Sequence, residues 1–543
     1  MRVLITAALP YANGPLHLGH IRSTYLPADI CARFNRMIGN ETIYVCATDE
    51  HGTPIVVSAE KEKKTPKQFV DFFHLKDKEE FAKLGFSMDI FHRTSSDENK
   101  EMTIHFFNKL NENGFLVKKE VEQYFCENCR RYLPDRFLVG KCPYCAAEGQ
   151  YSDLCEKCGR ALKSGEIIDP KCITCGTRPV KNKSNHYFFK LSAFSERLKK
   201  WLKENKELQK EVVNYVSNWI ENGLADWDIT RNLDWGVKIP GEEGLVFYVW
   251  FDAPIGYVSS TKALVKDKFD LWWRNEETKV IHFIGKDIVY HHFLFWPAML
   301  MGTEDGFNLP DAIPVRGYLN LERDKFSKSK GWFVSLKEFL DKFEPDYLRY
   351  YETMITPHST EDADFMWNEF QRKINDELVA SIGNFIHRTL ILVKKNGGII
   401  KKGGIKEHEI LGKINKAQEE VAGLMKKYEY KQALEKILAL SIDFNRYLSA
   451  EEPWKQKDEK KVREVLYVCF RGVCALGILL YPFIPFSCEK LFDMLGIDRK
   501  KMVWGNACIE LCEEELKLGE VKPLFRKIED KEIEEQKKKL GKS

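Results

Sequence analysis

Two histidines three residues apart, His17 and His20, close the string Leu9-Pro10-Tyr11-Ala12-Asn13-Gly14-Pro15-Leu16-His17-Leu18-Gly19-His20. The apolar run Val3-Leu4-Ile5 before it reads as a buried strand, and a helix is expected from about Ile21 to Arg36. A strand, a turn bearing Gly and His, and a helix form the arrangement in which an open parallel sheet presents phosphates to a helix N-terminus. Both histidines can project from one side of such a turn toward one ligand. Roughly three hundred residues later, Lys325-Phe326-Ser327-Lys328-Ser329 sets two lysines three apart among serines. A loop of that kind can bring positive charge to a triphosphate. Taken singly, the first string is equally a satisfied turn histidine and the second a solvated loop.

A second kind of chemistry is written in the cysteines. Eight of the 15 form four Cys-x-x-Cys pairs, Cys126/Cys129, Cys142/Cys145, Cys155/Cys158 and Cys172/Cys175, in turn-rich sequence. Two such pairs make one tetrahedral thiolate site, so four imply two structural Zn2+ sites. A redox reading would need one or two motifs on a thioredoxin-like unit. Nested pairing puts Cys142, Cys145, Cys155 and Cys158 on one metal and Cys126, Cys129, Cys172 and Cys175 on the other. The inner pairs are only nine residues apart and close a small loop cheaply, although adjacent pairing is sterically open as well. The other cysteines, Cys31, Cys46, Cys469, Cys474, Cys488, Cys508 and Cys512, read mostly as small buried hydrophobes.

The elements that must position these groups follow from periodicity. Up to about residue 113, short apolar strands alternate with amphipathic stretches, the pattern of a doubly wound α/β fold with a Rossmann-like parallel sheet. Glu41 to Ala47 reads as its second strand, ending in Thr48-Asp49-Glu50-His51-Gly52; further strands are expected at Leu245–Trp250 and Val280–Gly285. Ligand-binding groups gather at the carboxyl ends of such strands. The cysteine block interrupts the sheet. Later, Leu378, Ile382, Phe385, Ile386 and Val393 mark one apolar helix stripe, and amphipathic segments at about 406–445 and 458–480 suggest an α-helical bundle. The division expected is 1–114 and 226–320 for the two halves of the catalytic sheet, with 115–225 as the zinc-knuckle insertion between them. A linker carrying the lysine loop covers 321–370, the helical domain 371–520, and a charged tail 521–543, of which 527–543 reads as a frayed helix.

Composition bounds the reading. At 543 residues the chain is too long for one core. With 84 Lys+Arg against 81 Asp+Glu the net charge is only +3, which still allows a local basic face for nucleic acid. The longest apolar stretch, residues 473–486, is broken by Pro482 and Pro485, so no membrane span is expected. Residue 1 leads straight into a strand with no signal-peptide pattern, which makes the cytoplasm the expected location.

In their order and separation the two strings resemble the HIGH and KMSKS signatures of the class I aminoacyl-tRNA synthetases. The letters around them resemble the methionine-specific branch from residue 2 to about residue 530. The resemblance implies two steps: methionine attacks the α-phosphorus of ATP, giving methionyl-adenylate and pyrophosphate, and the terminal ribose of tRNA(Met) then takes the methionyl group. Neither step needs a covalent enzyme intermediate, so positioning and charge stabilisation are what to look for.

By resemblance the catalytic groups are His17, His20, Lys325 and Lys328, and ATP, entering with Mg2+, meets Tyr11, Ala12, Asn13, Gly14, His17, Gly19, His20 and Lys328. The usual Met of the second signature is Phe326 here, an apolar exchange that should keep the loop's anchor. Methionine is expected against Leu9, Tyr11, Asp49, Arg231, Trp250, Ala253, Pro254, Tyr257, Ile288, His292 and Trp296. Asp49 would pair with the α-ammonium, and aromatic ring edges suit the thioether. Taken singly, Trp250 and Trp296 are equally ordinary core. His291 departs from the pattern, since relatives often carry an aromatic residue there. Asn384, Arg388 and Trp454, the last at an expected helix start, match the readers of the CAU anticodon. The chain stops without the β-barrel domain that some relatives carry, so a monomer, or a complex with a separate tRNA-binding protein in trans, is expected. The alternatives are another class I synthetase or a non-catalytic zinc-containing tRNA-binding paralogue.

Overall fold

The computed structural model describes residues 1–152, 155, 157, 158, 160, 162, 166–327, 331–401, 408–512 and 515–541, with only the backbone at 135. Five parallel strands stand in the order Val315–Arg316, Thr278–Gly285, Arg2–Ala7, Glu41–Thr48, Ile90–Arg93. Leu4 faces Val280 on one side and Ile43 on the other. Val3, Leu4 and Ile5 are wholly buried, as expected of strands covered by helices on both faces. The chain winds outward from Arg2–Ala7 in one direction, then returns to its other edge at Thr278. The carboxyl ends of these two strands therefore diverge into a topological switch point, where open α/β sheets bind ligands.

The residues 245–250 do not form a strand of this sheet. Only Val246–Phe247 is extended, paired antiparallel with Thr230–Arg231, and a helix begins at Val249 and runs to Val265. Every residue from Phe251 to Thr261 is buried, and the apolar letters Val249-Trp250 that open the helix continue the strand's run with no break to mark the change.

Between the halves of the sheet, Leu116–Cys126 and Val180–Phe189 make a long antiparallel ribbon, flanked by Arg131–Tyr132 and Trp227–Asp228. A smaller sheet of Gln150–Tyr151, Leu138–Lys141 and Ile168–Cys172 sits beyond it, and helices Ser195–Glu204 and Lys210–Glu221 lead back. After the catalytic sheet, Leu319–Leu321 pairs antiparallel with Asp324–Lys325 and parallel with Ala363–Phe365.

Helices dominate from Trp367 onward. The five stripe residues from Leu378 to Val393 are all buried, and Glu459–Leu480 is buried almost continuously from Val465, the central helix of the bundle. The segment expected at 406–445 is two helices, Glu409–Lys426 and Tyr430–Glu451, separated by a turn in which Tyr428 takes a left-handed φ of 61°. The tail is not frayed. Ile528 and Ile533 are buried, helix Asp530–Lys537 packs on Trp367–Lys373, and the Gly541 N–H donates to Gly331 O at 3.1 Å. Two isoleucines among many charges suffice to dock it, and the charge density hid them. Among the described residues no helix is long and apolar enough to cross a membrane.

Candidate functional site

A cavity of about 960 Å³ opens at the switch point. The backbone there is tied across strands: Asp49 N–H donates to Pro10 O at 2.8 Å and Ala12 N–H to Asp49 O at 2.9 Å. Tyr11 Oη donates to His51 O at 2.8 Å. Gly52, at φ 100°, follows; a Cβ there would stand 3.0 Å from Tyr11 Oη, so this turn needs glycine twice over.

His17 is the N-cap of the helical run Leu18–His20, Ile21–Tyr25 and Leu26–Met37. Its Nδ1 accepts from the Gly19 N–H at 3.2 Å, and its own N–H donates to His20 Nδ1 at 3.2 Å. The two rings stack at 3.7 Å, and a Cβ on Gly19 would press to 3.1 Å from the His17 ring. The helix widens to a π turn over Ile21–Tyr25, and the run beginning at His291 does the same over His291–Phe295. In each, a proline follows two residues on, Pro27 and Pro297, whose missing N–H breaks the regular hydrogen-bond ladder.

The lysine-loop hairpin closes on the same place. Phe326 stacks on His17 at 4.8 Å and 14°, so the aromatic residue in the place of methionine anchors the loop directly on the histidine turn. Ser327 and Trp332 exchange backbone hydrogen bonds at 2.8 and 3.0 Å across the loop base. Lys325 and Phe326 line the cavity; Lys328 lies outside the described residues.

Of the expected methionine contacts, Leu9, Tyr11, Asp49, Arg231, Trp250, Ala253, Pro254, Tyr257, Ile288 and His292 line the cavity wall. Trp296 does not. It is wholly buried one layer back, donating through Nε1 to His282 Nε2 at 3.0 Å and meeting the Tyr257 ring edge-on at 6.2 Å. On its helix the face shared with His292 points inward past the cavity. Ala12, Asn13 and Gly14 form the turn behind the wall; Ala12 is fully buried.

The Asp49 carboxyl is buried in the cavity wall. Burial pushes the Asp49 carboxyl well above its ordinary range, and the neighbouring Asp252 adds to it. Asp49 Oδ1 and Asp252 Oδ1 are both buried and make no hydrogen bond among the described residues. Asp252 Oδ2 is held by His51 Nδ1 at 2.7 Å. By contrast His292 is a neutral fixture, pushed down to about 4 by burial. Its Nδ1–H donates to Ile288 O at 3.1 Å, so Nε2 accepts from Tyr257 Oη at 2.9 Å. His291 stacks on Trp250 at 3.9 Å and 12°, filling the aromatic place with a ring that burial pushes down to about 3.

Sequence reasoning missed several groups here. His51 and Asp252 lie 201 residues apart, and no local pattern pairs them. His282 is wholly buried behind Tyr257, its Nδ1 2.6 Å from Thr6 Oγ1, and it reads as one more letter in a strand. Arg136 reaches the cavity from the insertion, from a segment with no periodicity.

The cysteines gather in two groups, Cys126, Cys129, Cys172, Cys175 and Cys142, Cys145, Cys155, Cys158, with all sulfurs of a group within 4.8 Å of one another. The pairing is nested. Sulfur separations include 3.4 Å for Cys126–Cys175, 3.9 Å for Cys129–Cys172, 4.0 Å for Cys142–Cys158 and 3.6 Å for Cys145–Cys155. Four thiolates about 2.3 Å from a tetrahedral Zn2+ would stand about 3.8 Å apart, so both groups have the size of a closed metal site.

In the bundle, the Arg388 guanidinium lies 5.3 Å over the Trp454 ring, which is 45% exposed, and Asn384 is exposed one turn before Arg388. Trp454 does not start a helix. It sits on the turn after Glu452, left-handed at φ 41°, and the next helix begins only at Glu459, capped by Asp458.

Comparisons with known proteins agree with this geometry. A family model described as tRNA synthetases class I (M) matches residues 3–390, and one described as the anticodon-binding domain of tRNA ligase matches 407–540. The methionine–tRNA ligase of Methanopyrus kandleri is 45% identical, over 99% of this chain and 81% of that protein. That of Methanocaldococcus jannaschii is 44% identical over 99% and 81%, and that of Pyrococcus furiosus 44% over 92% and 72%. The solved Mycobacterium tuberculosis methionyl-tRNA synthetase in complex with methionyl-adenylate superposes with a TM-score of 0.80 at 24% identity, covering 96% of this chain and 99% of that one, a likeness of fold.

Proposed function

Because this chain belongs to the methionine–tRNA ligases, class I aminoacyl-tRNA synthetases by their catalytic domain, we propose that the switch-point cavity carries out both steps of their reaction. The activity is methionine activation with ATP, followed by transfer of the methionyl group to the 3′ end of tRNA(Met). The observation that carries the assignment to this cavity is the convergence on it of the His17/His20 turn, the Asp49 carboxylate, the Tyr257–His292 pair and the Lys325–Phe326 hairpin.

Asp49 takes the α-ammonium. A cation beside Oδ1 supplies the partner that this buried oxygen lacks and favours the ionised carboxylate. The His51–Asp252 pair holds a second carboxylate behind it. Trp250, stacked on His291, and Tyr257, fixed by His292, offer ring surface to the thioether. His292, neutral and already committed through both nitrogens, orients Tyr257 and moves no proton. On the other side, His17 and His20 flank the α-phosphate, and Lys325 and Lys328 balance the charge that grows on the departing pyrophosphate, with Mg2+ entering on ATP. The Phe326–His17 stack couples loop position to the catalytic turn.

Each group of four cysteines holds one Zn2+. Four thiolates leave no open coordination position, so the metals brace the insertion and take no part in the chemistry. Asn384, Arg388 and Trp454 read the unpaired anticodon bases, the ring by stacking and the amide and guanidinium by hydrogen bonds to base edges. The enzyme works in the cytoplasm.

Amino-acid-dependent ATP–pyrophosphate exchange, measured with each of the twenty amino acids, tests the cavity's specificity. Methionine alone should drive rapid exchange. An equal rate with valine, isoleucine, leucine or cysteine would overturn the assignment of the aromatic wall.

A further inference from the structure

The helix Lys210–Glu221 carries more aromatic surface than its packing uses. Its docking stripe is Val212, Val216 and Ile220, exposed 3%, 0% and 4%, with Val213 and Trp219 partly buried beside it on the same core. Yet Tyr215 stands 54% exposed on another face, with its ring 4.6 Å from that of Trp219. Trp219 in turn meets Tyr290 at 4.5 Å. Tyr290 is next to His291, ring centroids 6.1 Å apart, and His291 with its stacked partner Trp250 lines the catalytic cavity. A run of rings therefore leads from solvent to the wall of the active site. Asn214 and Asn218, both exposed and one helical turn apart, flank it with side-chain amides.

Resting on the reading of the cavity given above, we propose that Tyr215, Trp219 and Tyr290 form a stacking platform for the unpaired nucleotides at the 3′ end of the tRNA. The terminal ribose must reach the activated carbonyl inside the cavity, so the nucleotides behind it must leave through the cavity mouth. Every base offers a π face, and aromatic rings bind single-stranded nucleic acid by stacking whatever its sequence. Amides beside the rings suit base edges and 2′-hydroxyls. Tyr290 adjoins His291 in the wall of the cavity that the 3′ end has to enter, which favours this occupant over a protein partner.

The test uses Tyr215→Ala, Trp219→Ala and Tyr215→Phe in the full chain, with intact tRNA(Met) and the same tRNA lacking its three terminal nucleotides. The alanine variants should keep methionine-dependent exchange within about twofold while kcat/KM for aminoacylation falls about 5- to 100-fold. Tyr215→Phe should retain it. Wild type should bind intact tRNA more tightly than truncated tRNA, and Tyr215→Ala should lose that preference. Wild-type aminoacylation by Tyr215→Ala, or equal weakening toward both tRNAs, overturns the platform, the latter pointing to a contact elsewhere. Should Trp219→Ala fail to fold, Tyr215→Ala decides, since that side chain is more than half exposed. Wild-type protein inert in exchange would overturn the cavity assignment itself, a result distinct from any of these.

Discussion

At the catalytic turn the side chains are set before any substrate arrives. His17 is fixed by the Gly19 N–H on one side and by Phe326 on the other, so the turn and the lysine loop share one ring. The loop's charge is wanted chiefly where charge develops, on the leaving pyrophosphate. Lys328→Ala should therefore lower kcat for exchange by more than about tenfold while methionine KM moves little. Exchange within about threefold of wild type would remove Lys328 from catalysis. The turn was legible as letters because local geometry there demands glycine: Gly19 because a Cβ would press on His17, and nearby Gly52 because its φ is positive. The place of Trp296 one layer behind the cavity wall was not legible, for the opposite reason. Helical spacing put it on the His292 face, but which way that face looks depends on the Thr6–His282–Trp296 chain of hydrogen bonds, whose members lie far apart in sequence.

At the scale of elements, the insertion tests how much an ion contributes to a fold. The inner group encloses a short span; the outer group ties the long ribbon Leu116–Cys126 to the strand ending at Cys172, and each has one exposed residue, Cys158 and Cys175. Metal analysis of protein purified without chelator should give two Zn2+ per chain. Cys155→Ser should remove one of them, because a site loses its closed tetrahedral set when one thiolate goes. Retention of two metals by that variant, or one metal in wild type, would refute the two-site reading. The cysteine pairs announced the clusters because Cys-x-x-Cys spacing is a local geometric demand. The strand expected at 245–250 was met only at Val246–Phe247, because six apolar letters do not show where a strand gives way to a helix, here at Val249. The helix break at Tyr428 escaped notice too, since no Gly or Pro marks it.

For the whole molecule, the anticodon end and the catalytic end must act as one body, and a buried ion pair joins them. Arg349 is fully buried on Pro345–Met354, bonded to Asp29 Oδ2 at 2.7 Å on the catalytic helix and to Phe483 O and Pro482 O of the bundle. The distant end then contributes through tRNA alone. Trp454→Ala should weaken aminoacylation by about 1–3 kcal/mol of lost stacking and leave exchange untouched, and equal losses in both assays would sink the anticodon role. The joint has its own signature in pH. Burial pushes the Asp29 carboxyl up, but Arg33, Arg349 and two hydrogen bonds from Ser87 outweigh that and hold it well below the ordinary carboxylate range. Arg349 is itself pushed down by burial but stays charged throughout, so Asp29 is the partner that titrates. A depressed carboxylate contributes its full stability above an ordinary pKa of about 4, and that contribution is lost as pH falls toward the folded value. Asp29→Asn leaves Arg349 buried beside a neutral amide, which should cost about 3–5 kcal/mol at pH 7. Unfolding followed from pH 8 to pH 3 should show the gap between wild type and variant constant above about pH 5 and narrowing below about pH 4. A gap that stays constant to pH 3 would mean that the charge of Asp29 does not hold the two ends together.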